Sequence, residues 1–201
     1  MRGFKEDLPI PGNWHACLGE WASCLITVLR ASKVYRMIEL GCGWGCWMNN
    51  LALAASRKSL DVDIIGIDGS YYHLEKAKKI SSLNNLPLNN IVYHHGIAGN
   101  SKNALFPKQN NPNHYGLEPV FNPSNEQIKD LSKTHELLSC FRLRDLRKGQ
   151  SVDLLHIDIQ GSEYDFCSKF REVLNMRVIK DNFKYNEYIK KITDSWRSLI
   201  V

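Results

Sequence analysis

The chain has 201 residues, enough for one domain with a sizeable core and cramped for two. Its hydrophobic content of 43% and charged content of 23% are those of an ordinary soluble globular protein, and its longest apolar stretch, over 22–29, falls far short of the ~20 residues a membrane span needs. The net charge of +5 is mild, and the N-terminus carries charges where a secretory signal would carry its apolar segment, so a soluble cytoplasmic protein with no membrane partner is expected.

Residues 14–32 place apolar side chains at Cys17, Leu18, Trp21, Ala22, Leu25, Ile26, Val28 and Leu29, a helical spacing introduced by Pro11, Gly12 and Asn13. "YRMIEL" reads as a short strand, apolar on both faces, that runs into the glycine turn "GCGWGC". "CWMNNLALAASRKSL" reads as the helix after the turn, packed by Trp47, Leu51, Ala54 and Ala55. "VDIIGIDGS" is a second buried strand that ends in an acid and a glycine. "YYHLEKAKKISSLNNL" is its helix, with Leu74, Ala77 and Ile80 inward, and "NIVYHHGIAG" is a third strand. The polar stretch over 100–125, rich in Asn, Pro and Lys, is expected to be a functional lid or a disordered insert. That insert region extends to 139 through "EQIKDLSKTHELL", a short helix or ordered loop. "VDLLHIDIQGSE" is the fourth strand and "YDFCSKFREVLNM" its helix. Basic residues gather in "FRLRDLRKG" and "SRKS" without interleaved aromatics, which reads as a solvated face rather than a nucleic-acid surface.

Helices alternating with near-continuously apolar strands imply one α/β domain with a doubly wound sheet of about four to five parallel strands. In such sheets ligands bind beyond the carboxyl ends of the strands, where the strand order reverses. Three of the four strands end there in acids or glycines. The six cysteines include no C-x-x-C pair, and reduced thiols are the better reading than a metal or redox pair of Cys42 and Cys46 with His94, His95 or His156. No catalytic metal is expected.

The glycine turn raises the functional question. A dinucleotide site uses G-x-G-x-x-G, whose third glycine lets helix and strand pack closely beside a pyrophosphate. Here the glycines are Gly41, Gly43 and Gly45, the place of the third is taken by Cys46, and Glu39 lies two residues before the first. A carboxylate there repels a pyrophosphate but attracts the sulfonium and ammonium of S-adenosylmethionine. Asp68, at the end of the second strand, is positioned to accept ribose hydroxyls. The residues favour a methyl-donor site over a dinucleotide site or a purely structural turn.

"VYRMIELGCGWGCWMNNLA", "IIGIDGSYYHLEKAKK", "HHGIAG" and "VDLLHIDIQGSEYD" resemble the successive motifs of class I S-adenosylmethionine-dependent methyltransferases. Within that class the chain resembles the FkbM-type family, chiefly through "LLHIDIQGSE" and the Trp-Gly of its turn. The resemblance spans Leu18 to about Leu174 and is loose over 100–139. It implies that Glu39, Gly41, Gly43 and Gly45 border the cofactor's methionyl end, that Cys42 and Gly69 also bind the cofactor, and that Trp44 is a pocket wall or a helix-packing residue. It places Asp68 at the ribose, Gly96 and Ile97 near the adenine, and Asp158 facing the transferred methyl group. The implied reaction is O-methylation of a small-molecule or sugar hydroxyl.

Strand alternation in "HIDIQGSE" puts His156, Asp158 and Gln160 on one face. Asp158 is the candidate for orienting the acceptor or the cofactor ammonium and for taking a proton. His156 is either a hydrogen-bonded core histidine or a base, and His94 and His95 are further candidate bases. Glu163 is expected to cap the next helix. The segment after "MRVIK" reads as a polar helix in place of the family's remaining strands, an atypical tail over 180–201. Two alternatives follow from it: a cofactor-binding remnant or interaction module without activity, and self-association through an uncovered sheet edge. A nicotinamide-dependent oxidoreductase is the distant third reading.

Overall fold

The computed structural model describes residues 18–109, 111, 114–147, 149–159, 163 and 166. The readings for 14–17, for Gln160, for the helix after the fourth strand and for the tail over 180–201 lie outside the described residues. The chain divides into two units, Met1–Glu163 and Tyr164–Val201, and every element below belongs to the first.

Helix α1 (Leu18–Arg30) leads into β1 (Val34–Leu40), followed by α2 (Cys46–Arg57), β2 (Asp61–Asp68), α3 (Tyr71–Leu83), a 3₁₀ turn (Leu88–Asn90) and β3 (Ile91–His95). Four short strands and two short helices come next: β4 (Ile97–Ala98), β5 (Asn103–Pro107), β6 (Val120–Phe121), α4 (Asn125–Leu131), β7 (His135–Phe141) and α5 (Leu143–Arg147). Strand β8 (Leu154–Ile157) returns to the first sheet. That sheet has the order β3-β2-β1-β8 and is parallel throughout, a Rossmann-like α/β arrangement. The order reverses at β1, which pairs with β2 on one side and β8 on the other. The carboxyl end of β1 is therefore where a crevice opens.

The core explains the alternation of elements. Met37, Leu40 and Ile64 are fully buried on the central strands, and Trp47, Leu51 and Ala55 bury the inner stripe of α2. Cys24 and Val28 of α1 join the same cluster. Lys58, just past α2, donates from Nζ to the carbonyls of Val28, Leu29 and Ala31 at 3.2, 2.6 and 2.9 Å. A cation satisfies the orphan acceptors of a helix C-terminus, so Lys58 fastens α1 to the domain.

Two expectations change. The third strand is broken: Gly96 donates to the carbonyl of Asp68 at 3.0 Å, and the chain then leaves the first sheet so that Ile97 and Ala98 pair with Cys140 and Phe141. A Cβ on Gly96 would lie 2.5 Å from the Phe141 ring and 2.6 Å from the Ser139 carbonyl, so only glycine fits the crossing. The stretch over 100–125, read as a lid or disordered insert, instead supplies β5 and β6 to a second sheet of order β4-β7-β5-β6. In it β5 is antiparallel to both β6 and β7, with Ala104, Leu105 and Phe106 buried. The pairing is non-local, Asn103 opposite Ser139 for example, and a three-residue apolar run amid polar residues gives little local sign of it. "EQIKDLSKTHELL" divides into α4, opened by a capping box of Ser124 with Gln127, and strand β7. Among the described residues no helix is long and apolar enough to cross a membrane.

Candidate functional site

A cavity of about 220 Å³ opens at the carboxyl ends of β1, β2 and β8 and is walled on its far side by the second sheet. The turn after β1 contributes Gly41, Cys42, Gly43 and Trp44, and β2 contributes Ile67, Asp68, Gly69 and Ser70. The crossing after β3 adds Gly96 and Ile97, and β8 adds Asp158 and Ile159. Phe106, Tyr115, Leu117 and Phe121 come from the region read as an insert. With Glu39 of β1, which also lines the cavity, ten of the sequence candidates meet at one place.

The glycines have three different reasons to be there. Gly41, Gly43 and Gly45 all have positive φ, at 75°, 52° and 79°. A Cβ on Gly41 would stand 1.8 Å from the carbonyl oxygen of Asp158, so this glycine lets the ends of β1 and β8 meet. A Cβ on Gly43 would meet nothing nearer than the Tyr115 ring at 3.6 Å, so this position faces the open cavity. Gly45 is not in the lining. Its missing side chain makes room for Asn49, Met48 and Ala77, where α2 passes α3. The expectation that Gly45 borders a cofactor becomes a helix-packing role.

Asp68 is more deeply engaged than its place at a strand end suggests. Its Oδ2 accepts the Gly43 N–H at 2.8 Å and its Oδ1 accepts the Ser70 N–H at 2.7 Å, with His73 Nδ1 at 3.5 Å. One carboxylate therefore holds the turns after both β1 and β2. Ser70 caps α3 through the His73 N–H and also hydrogen-bonds Gln109. Tyr115 stacks on the His73 ring with centroids 4.3 Å apart and planes 11° from parallel. These contacts bring the stretch after β5 over the cavity, a signal the sequence carries only as aromatic and amide residues in a polar stretch.

Glu39 is 2% exposed, and its Oε2 accepts the Met48 N–H at 2.9 Å in the first turn of α2, where an acid is favoured. Burial pushes its carboxyl well above the ordinary range; the Met48 N–H works against that, and the charges of Asp158 and Asp68 add to it. His156 pairs beside Glu39 across β1 and β8. Its Nδ1 lies 3.6 Å from Glu39 and its Nε2 3.7 Å from Glu20 of α1. The ring sits 5.1 Å from Trp47, which in turn packs at 4.4 Å on Trp21. Glu20 and Trp47 line the cavity as well, and neither was singled out from the sequence as a site residue.

Other candidates fall outside it. His94 packs on Phe141, and His95 lies 3.0 Å from the Gly69 carbonyl and 3.8 Å from Glu136, so neither reaches the cavity. Glu163 accepts the Ile159 N–H at 3.0 Å, just past the end of β8. Cys42 is buried in the lining, and Cys24, Cys42, Cys46 and Cys140 are free thiols. Trp44 lines the cavity, and Lys76 stands 5.9 Å above its ring.

Comparison with known proteins agrees with the motifs. The profile of the family described as "Methyltransferase FkbM domain" matches residues 16–195. A protein of Jannaschia sp. (strain CCS1), provisionally named a methyltransferase, is 43% identical over 170 residues, covering 83% of this chain. The chain spans 61% of that relative's length. Among solved structures, a methyltransferase of Geobacter sulfurreducens in complex with S-adenosylhomocysteine overlaps 40% of this chain and 32% of its own, with 22% identity and a TM-score of 0.30. One of Thiobacillus denitrificans with the same ligand overlaps 48% of this chain and 42% of its own, at 20% identity and a TM-score of 0.33. The fold follows from this chain's own strand order, β3-β2-β1-β8.

Proposed function

Because the chain belongs to the FkbM family of methyltransferases, we propose that its cavity takes S-adenosylmethionine and that the methyl group passes to a hydroxyl of a small-molecule or sugar acceptor. The observation that carries this reading is the sign of the cavity. Glu20, Asp68 and Asp158 line it with carboxylates beside the buried acid Glu39, and no lysine or arginine lines it among the described residues. A pyrophosphate would be repelled there, whereas a ligand with a sulfonium and an ammonium would be attracted.

The residues fit such a ligand at three points. Gly43 offers bare backbone to the methionyl part, because the nearest atom to a Cβ there is on the Tyr115 ring, 3.6 Å away. Each oxygen of Asp68 accepts one backbone N–H and keeps a lone pair for a ribose hydroxyl. Ile97, Phe106 and Leu117, beside Gly69 and Gly96, form an apolar slot for adenine.

The cofactor, when bound, supplies an electrophilic methyl group on a sulfonium. Asp158, beyond the end of β8, orients the acceptor hydroxyl and can accept its proton. Glu39 holds the first turn of α2 and with it the geometry of the glycine turn, and Trp44 and Tyr115 limit water access at the mouth.

Calorimetric titration with S-adenosylmethionine, S-adenosylhomocysteine and NAD tests the cofactor. Binding of the first two, with Kd in the range of about 1–100 μM, is expected together with no heat from NAD. Binding of NAD alone would overturn the reading. Release of S-adenosylhomocysteine in the presence of amines but not of sugar or phenolic hydroxyls would overturn the acceptor class.

A further inference from the structure

We propose that Glu20, on α1, is the carboxylate that receives the cofactor's ammonium group, and that His156 is the positioning residue that holds it. The inference rests on the methyl-donor reading above and assigns one end of that site.

Two of the four lining carboxylates are committed elsewhere. Asp68 has both oxygens engaged with the turns after β1 and β2. Glu39 is 2% exposed, with one oxygen on the Met48 N–H, and its burial favours the neutral acid. Asp158 stands where β8 ends, beside Gly41, at the position given above to the acceptor. Glu20 differs from all three. Its side chain is 42% exposed, so it reaches solvent as well as the cavity, and it comes from a helix rather than from the sheet.

His156 connects Glu20 to the buried acid. One ring nitrogen points to each carboxylate, at 3.7 Å and 3.6 Å, and the buried Nδ1 makes no hydrogen bond. Contacts of this length stand just beyond hydrogen-bond reach, and such pairs shorten when a ligand completes a site. An ammonium between Glu20 and the glycine turn draws Glu20 inward and lets the imidazole close on it. Trp47, packed between His156 and Trp21, keeps the ring in that plane and presents an indole to the cationic end. Helix α1 is anchored at its other end by Lys58, so Glu20 is carried by an element fixed at both ends.

The test compares two probes that share the adenosine and the sulfur. S-adenosylhomocysteine carries the amino-acid group and 5′-methylthioadenosine lacks it. In the full chain, Glu20→Gln is expected to weaken the first by about tenfold, the loss of one charged hydrogen bond, and to leave the second within about twofold. His156→Asn is expected to weaken S-adenosylhomocysteine in the same selective way, by a smaller factor. Equal loss of both probes in Glu20→Gln, or loss of neither, overturns the inference while the methyl-donor reading stands. Failure of the wild-type chain to bind either probe overturns both.

Discussion

The Oδ2 of Asp68, at the end of β2, accepts the backbone N–H of Gly43, in the turn after β1, at 2.8 Å. The two residues are 25 positions apart, and the bond sets the turn at the conformation that leaves Gly43 facing the cavity. Removing the carboxylate therefore acts on the fold as well as on a ligand. Asp68→Ala is expected to cost about 1–3 kcal/mol of stability in urea denaturation, with S-adenosylhomocysteine affinity reduced besides. Asp68→Asn, which keeps one acceptor oxygen, should lose less stability. An unchanged denaturation midpoint in Asp68→Ala would show that the turn stands without the acid.

Gly41 and Gly43 should separate folding from binding. At Gly41 a methyl group would overlap the Asp158 carbonyl, so Gly41→Ala must push β8 from β1 and should lose about 2–4 kcal/mol. At Gly43 the space is open, and Gly43→Ala should cost only the ~1–2 kcal/mol of a left-handed residue. Gly43→Val should keep the fold by circular dichroism and abolish cofactor binding. Equal melting temperatures for Gly41→Ala and Gly43→Ala would refute the distinction.

Lys58→Met keeps the aliphatic stem and deletes the three contacts to the end of α1. The expected loss is about 1–3 kcal/mol, larger at low salt than at high, because a charge at a helix C-terminus is screened by ions. Hydrogen exchange should rise first in α1. Protection in α1 equal to wild type would show that the Trp21–Trp47 contact holds the helix alone.

The buried thiols predict a loss of stability at high pH. Burial, with the charges of Glu20 and Glu39 behind it, pushes Cys24 from 9.0 up to about 11. Burial, with Glu39 next, pushes Cys46 up to about 12. In the unfolded chain both ionise near 9.0, so between pH 9 and about 12 the unfolded state has released protons that the folded state retains. Stability is thus complete below pH 9 and falls as pH rises through that window. Cys46→Ala should flatten the decline in urea midpoint between pH 8 and 10.5, and an identical decline in the variant would exclude the thiol as its source.

A covering role for Tyr115 is open to a separate measurement. Tyr115 is 45% exposed and its ring stacks on His73 above the cavity, so Tyr115→Ala should leave the melting temperature within about 1 °C. Cofactor should leave faster in stopped flow from this variant, because the wall facing Gly43 is gone. An unchanged off-rate would place the ring outside the ligand's path.

What the sequence determined by itself was the parallel sheet and the turn that opens it. Both are written in local pattern: near-continuous apolar runs at Val34–Leu40 and Asp61–Asp68, a 3.6-residue period after each, and glycines where φ turns positive. Because strand ends and turns are adjacent in the chain, Gly43, Asp68, Gly96 and Asp158 could be named as neighbours of one crevice before any contact was known. Only the tertiary structure decided the rest. The second sheet depends on β5 meeting β7 across some thirty residues, and pairing of that kind is set by burial rather than by local preference. The division of labour among the acids is likewise a matter of environment. Glu39 and Glu20 are the same residue type, yet one lies under the Met48 N–H out of reach of water and the other stands half in solvent on α1. A carboxylate's charge and availability follow from its desolvation and its partners, and these are properties of packing that no spacing in the sequence records.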